Sequence, residues 1–151
     1  MYLNKNLGIL HIETDNRNEI IERMVTILEE NEFVHPSYRK AILEREEEYP
    51  TGLEINGIGF AIPHTDSIHV NKSQICYVTA ERPIKFKNMA DPSSLVDVQL
   101  IFMLAMKEAH EQLEMLQNLM DLFQDKEKVE YLLSLEDKEK FKETLVALGV
   151  N

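Results

Sequence analysis

Gly59-Phe60-Ala61-Ile62-Pro63-His64-Thr65-Asp66 is the stretch on which the reading of this chain turns. An apolar run meets a proline, then a histidine, then small polar residues. A short strand ending at Pro63 delivers His64 to a loop mouth with its ring open to solvent. Pro63 has no N–H to donate, so a regular ladder is not expected to run through it. An imidazole held there titrates near neutral pH and can serve as nucleophile, acid or base.

Working outward, Ile58–Ile62 is separated from the apolar Leu53–Ile55 by Asn56-Gly57, a hairpin signal, and Pro50-Thr51-Gly52 reads as a turn. Ile75–Ala80, rich in β-branched and aromatic residues, predicts a further strand. Val98–Met106 is an almost unbroken apolar run entered from Asp97, as expected of a strand buried on both faces. Upstream, Ile20, Met24, Ile27 and Leu28 share one helical face with Ile21 and Val25 beside it, which predicts a helix over 17–30 with Asn16 or Asp15 as N-cap. The residues before Asp15 read as irregular with one short strand.

A second helix opens at His35-Pro36-Ser37, with Pro36 in its first turn. It runs through Tyr38, Ile42 and Arg45 and stops before Pro50. Beyond the long strand, a helix from about His110 to Phe123 carries Leu113, Leu116, Met120 and Phe123 on one stripe. Shorter helices follow around Val129–Leu133 and Lys138–Leu148, the last ended by Gly149. Helices first, strands in the middle and helices last predict an α/β layered domain over residues 1–151.

With 151 residues, 44% of them hydrophobic and 28% charged, the chain has the composition of one globular domain. No apolar stretch is long enough to cross a bilayer, and no basic-then-apolar leader opens the chain. Cys76 is the only cysteine, so no internal disulfide forms, and a reducing cytoplasm is the expected compartment. The 16 basic and 27 acidic residues leave a net charge of −11. That charge argues against nucleic acid and against anionic membrane surfaces, which need a positive footprint. It suits partners with basic patches, and it also suits solubility alone.

Five histidines are the main chemical inventory. His11 and His35 have no chemical neighbours in sequence and read as surface or capping residues. His64 and His69, with Asp66 between them, could in principle hold a metal. Without a second ligand cluster or paired cysteines, a non-metal role is the reading. His110 stands just after the buried strand, where α/β domains build sites and where a helix N-terminus favours anions. Capping that helix and serving a site are equally good readings of it. Arg45 is either a solvated arginine paired with Glu46–Glu48 or a planar fork aimed at a phosphoryl group. There is no Gly-rich phosphate loop and no serine-centred triad. Cys76, inside an apolar strand, reads as an inert core thiol.

Arg45-Glu46, Pro50-Thr51-Gly52-Leu53, the run Ile58 to His64, and His110 followed by Leu113 and Leu116 together resemble the enzyme IIA domains of the bacterial phosphotransferase system, of the fructose/mannitol fold. The resemblance covers nearly the whole chain. A longer stretch between Gly52 and Ile58, with Glu44–Pro50 and the run His64 to His69, is closest to galactitol-type IIA proteins. His110 blurs that subfamily, since a second histidine is regular in mannitol-type members and not in all galactitol-type ones. The resemblance implies a single domain with a central mixed β-sheet flanked by helices.

It also implies a cofactor-free, metal-free phosphocarrier. His64 would accept a phosphoryl group from the histidine phosphocarrier protein HPr and pass it to a cysteine of a IIB partner. IIB then phosphorylates a sugar or polyol, galactitol by this resemblance, entering through a membrane IIC component. His110 would stabilise the phosphoryl group and Arg45 would contact its oxygens. A regulatory IIA-like protein, signalling through His64 phosphorylation to a protein partner, is the alternative. Phe60 and Ile68 are the expected apolar rim on which partners dock in turn.

Overall fold

The computed structural model describes all 151 residues. In chain order they form β1 (Leu7–Ile12), α1 (Arg17–Glu30), α2 (Ser37–Glu48), β2 (Leu53–Ile55), β3 (Ile58–Ala61), a 3₁₀ turn at Ser67–His69, β4 (Gln74–Lys87), β5 (Leu95–Ala105), α3 (Ala109–Phe123), α4 (Lys126–Ser134) and α5 (Lys138–Ala147). The five strands make one sheet in the order β1-β4-β5-β3-β2. β1 runs parallel to β4 and β3 parallel to β5, whereas β4–β5 and β2–β3 are antiparallel. The sheet is therefore mixed, with helices on both faces.

Alternation along the strands builds two cores. Phe60, Leu100, Phe102 and Leu104 face α3, α4 and α5, with Phe60 stacked on Phe123 at 3.8 Å between ring centroids. Ile101, Met103, Cys76 and Val78 face α1 and α2, meeting Ile20, Met24 and Tyr38. The carboxyl half of β5 is thus buried on both faces, as its unbroken apolar run predicts. Gly59 pairs with Val98 and Phe60 with Leu100, leaving Gln99 as a bulge. The bulge changes the phase of β5: Val96 and Val98 face α1 and α2, and so do Ile101 and Met103.

α1 begins where its cap was expected, with Asn16 accepting the Glu19 N–H. The Asn56-Gly57 hairpin forms with both residues at positive φ, 54° and 81°, as a primed turn requires. Three expectations need correction. β4 extends from the expected 75–80 to Lys87, because Ile84 and Phe86 are buried and the polar Glu81-Arg82-Pro83 that precedes them still belongs to the strand. β5 starts at Leu95 rather than Val98, pairing with that extension. On α3 the buried residues are Met115, Leu119, Leu122 and Phe123, while Leu113 is 60% exposed. Of the expected stripe only Leu113 faces out: Phe123 is buried and Leu116 and Met120 pack partly buried against the same core, whose centre on this helix is Met115, Leu119 and Leu122.

Candidate functional site

β3 ends at Ala61, one residue short of the expected Ile62. The main chain nevertheless stays pinned to the sheet. The Pro63 carbonyl accepts the Leu104 N–H at 3.0 Å, and His64 bridges Leu104 in the parallel sense. Proline interrupts the ladder where it has no donor, and pairing resumes through its carbonyl. His64 is thereby held beside the carboxyl end of β5, partly buried, at the start of the loop that leads to the 3₁₀ turn.

Its ring is oriented by its own backbone. Nδ1 lies 2.7 Å from the Ile62 carbonyl oxygen. A carbonyl only accepts, so Nδ1 carries the proton and Nε2 keeps its lone pair. Burial pushes the imidazole below its ordinary value. The Ile62 carbonyl opposes that shift, the Arg45 guanidinium reinforces it, and Asp66 acts against it. At neutral pH the ring is neutral with Nε2 open, the state a nitrogen nucleophile needs.

A consequence is measurable. Because the folded state holds its proton less tightly than the unfolded chain, His64 costs stability as pH falls below about 6.5 toward the folded value. Arg45→Ala removes the neighbouring cation and raises that value. An imidazole titration followed by NMR checks this, and an unchanged midpoint refutes the electrostatic contact.

Arg45 stands in the last turn of α2, its guanidinium 5.0 Å from the Tyr49 ring centroid and its Nη1 4.0 Å from Asp66 Oδ1. At 40% and 74% side-chain exposure that ion pair is weak. The alternative pairing with Glu46–Glu48 is not found. Glu46 is buried and bonded to Thr51, and Glu47 is held by Arg17 and Lys87. Arg45 is left facing the loop after His64. A shallow cleft of about 230 Å³ joins it to Tyr49, Thr65, Asp66 and His69.

On the other side of that loop, Ile68, Met106, Glu108 and Gln112 line a second cleft of about 340 Å³ with Asp66 and Ser67. Ile68 is 74% exposed in this cleft. Phe60, expected beside it on an apolar rim, is instead fully buried in the stack with Phe123.

His110 is the second residue of α3, exposed and without a hydrogen bond to His64. The helix start is organised by Glu111, which accepts from the Glu108 N–H, Ser73 Oγ and Tyr2 Oη, so His110 is not its cap. His69 turns Nδ1 to Ser37 Oγ at 2.7 Å, tying the 3₁₀ turn to the start of α2. His11 reaches the Leu135 carbonyl at 2.8 Å and serves the fold. Cys76 is buried, its thiol pushed up to about 12, and is inert as expected.

The family described as "Phosphoenolpyruvate-dependent sugar phosphotransferase system, EIIA 2" matches residues 1–147. The chain belongs to this EIIA 2 family. Over 120 residues it is 29% identical to the galactitol-specific EIIA component of Escherichia coli strain K12, covering 80% of this chain and 79% of the relative. Its fold matches a IIA protein (PtxA) of Streptococcus mutans with a TM-score of 0.80 at 23% identity, over 97% of this chain and 92% of that one. It also matches the mannitol IIA of Escherichia coli in complex with phosphorylated IIB, with a TM-score of 0.76 at 21% identity, over 96% and 97% of the chains. The mixed sheet with flanking helices is thus the EIIA 2 fold, as the resemblance implied. No helix of this EIIA 2 chain is long and apolar enough to cross a membrane.

Glu46 and Thr51 are the site's neighbours that sequence reading overlooks. Glu46 sits in an acidic run that looks solvated. Its signal is periodicity: Tyr38, Ile42 and Glu46 are spaced by four and form the buried stripe of α2.

Proposed function

We propose that this EIIA 2 protein is the phosphocarrier of a sugar or polyol uptake system, with galactitol as the first substrate to try. The observation that supports this best is the Nδ1 bond to the Ile62 carbonyl, which leaves Nε2 of a neutral, partly buried His64 free. The Nε2 lone pair attacks the phosphorus of the HPr phosphohistidine. A P–N bond forms on His64 as the donor's P–N bond breaks. A IIB cysteine thiolate then attacks the same phosphorus, a P–S bond forms, and Nε2 recovers its lone pair.

The protein's task in such a loose, in-line transfer is positioning and charge stabilisation. Arg45 supplies a cation that can leave its weak contact with Asp66 for the phosphoryl oxygens. His110, six residues beyond the strand position bridged to His64, flanks the phosphoryl group from the start of α3. Ile68 contributes an apolar contact to HPr and IIB in turn. The galactitol assignment rests on the 29% identical relative. The IIB step is supported by the fold shared with a mannitol IIA solved with phosphorylated IIB.

The test is incubation with phosphoenolpyruvate, enzyme I and HPr, followed by intact mass, acid treatment and addition of IIB. One acid-labile phosphoryl group that moves to IIB is the expected result. No adduct on the folded protein overturns the proposal, and an adduct that no IIB accepts favours a signalling role. Arg45→Ala and His110→Ala should each slow uptake about tenfold or more with the fold intact, the scale of one charged contact to the phosphoryl group. Unchanged rates would remove those residues from the site.

A further inference from the structure

Glu46 is 2% exposed on a helix whose other acids face water. Burying a carboxylate is costly unless donors meet it, and here both of its oxygens are met. Oε2 accepts the Thr51 N–H at 2.9 Å, and Oε1 accepts the Thr51 hydroxyl at 2.8 Å. With its proton directed at Glu46, Thr51 Oγ1 has its lone pairs free. One of them accepts the Ile62 N–H at 3.2 Å. The carbonyl of that same Ile62 accepts His64 Nδ1–H at 2.7 Å.

A continuous series of hydrogen bonds therefore runs from the last turn of α2 to the imidazole. The N–H and C=O of Ile62 lie on adjacent peptide units, so orientation passes along the series rather than charge. The device answers a local need. Pro63 has no N–H, so the peptide that presents the Ile62 carbonyl makes no donor bond of its own. Its direction is set by anchors on either side: Ile62 N–H on Thr51, and the Pro63 carbonyl on Leu104.

We propose that Glu46, acting through Thr51 and the Ile62 main chain, is a positioning residue that holds His64 in the Nδ1–H tautomer. Its effect on phosphoryl transfer rests on the phosphocarrier reading above; its effect on the tautomer does not. Neither Glu46 nor Thr51 touches the reacting atoms. Burial pushes the Glu46 carboxyl above the usual range, and both Thr51 donors work against that shift.

The experiment reads the ring directly in the unphosphorylated protein, by ¹H–¹⁵N correlation across the two imidazole nitrogens of His64. The wild type should show one tautomer, protonated at Nδ1. Thr51→Val keeps the volume and deletes the hydroxyl, so it should give a mixture of tautomers. Thr51→Ser, which keeps the hydroxyl, should restore the single form.

Uptake from phosphorylated HPr should fall about tenfold in Thr51→Val, the scale of one lost orienting hydrogen bond. Glu46→Gln, with only one acceptor oxygen left, should shift the ring in the same direction. It stands in for Thr51→Val if that variant does not fold. A single Nδ1–H tautomer in folded Thr51→Val or folded Glu46→Gln overturns the inference. A wild type that takes up no phosphoryl group overturns the phosphocarrier reading instead, and the tautomer comparison still decides this one.

Discussion

We expect His64→Ala to take up no phosphoryl group from phosphorylated HPr and to remain folded. The loss should be complete because no second nucleophile is prepared. His69 has Nδ1 committed to Ser37, and His110 is exposed on α3 without an acceptor to set its tautomer. Cys76 is buried with its thiol raised to about 12, so it offers no thiolate. The fold should survive because the ring's only hydrogen bond is local, to a carbonyl two residues earlier. Losing it costs on the order of 1 kcal/mol. Intact mass after incubation, beside circular dichroism and thermal unfolding, checks both halves. Phosphorylation of His64→Ala at the wild-type rate would place the acceptor elsewhere.

The largest effect on stability is expected at Gly59. A Cβ built there would lie 1.9 Å from the Asp97 carbonyl oxygen and 2.6 Å from its carbon, both main-chain atoms of β5. Main chain in the middle of a sheet cannot step aside as a flexible side chain can. Gly59→Ala must separate β3 from β5 just before the segment that carries His64, so folding and site geometry suffer together. We expect a loss of about 3 kcal/mol or more, at the upper end of overpacking costs. In a domain of this size that lowers Tm by about 10 °C. Gly57 is the control: its φ is +81°, but nothing lies within 4 Å of an added Cβ. Gly57→Ala should cost only about 1 kcal/mol, the strain of a side chain at positive φ. Equal losses at the two positions would refute the steric argument.

Much of this was legible in the residues, for reasons that differ by element. α1 was clear because its apolar face and Asn16 cap agree over four turns. The Asn56-Gly57 hairpin was clear because few sequences tolerate two consecutive positive φ values. β4 was cut short because Glu81-Arg82-Pro83 looks like a loop. These three residues fall in the register shift between Thr79 and Ile84, where the ladder with β5 is interrupted, so exposed polar side chains and a proline are tolerated. The face of α3 was read one step off at Leu113, because adjacent apolar stripes compete and only the position of the sheet centres the buried face on Met115 and Leu119.

At the site, a proline-histidine at a strand end marked His64, and Arg45 followed from the helix it closes. What sequence could not show was the backbone geometry: which ring nitrogen finds a carbonyl, and which of five consecutive residues from Glu44 to Glu48 turns inward. Tyr38 and Ile42 hinted at Glu46, but its bond to Thr51 depends on how the chain turns after Pro50.

The first measurement to make is the position of the phosphoryl group on the ring. Phosphorylated protein with ¹⁵N-labelled histidine should show phosphorus coupled to Nε2 of His64, with the proton retained on Nδ1 against the Ile62 carbonyl. Phosphorus coupled to Nδ1, or to a nitrogen of any other histidine, would contradict the geometry from which the chemistry was derived.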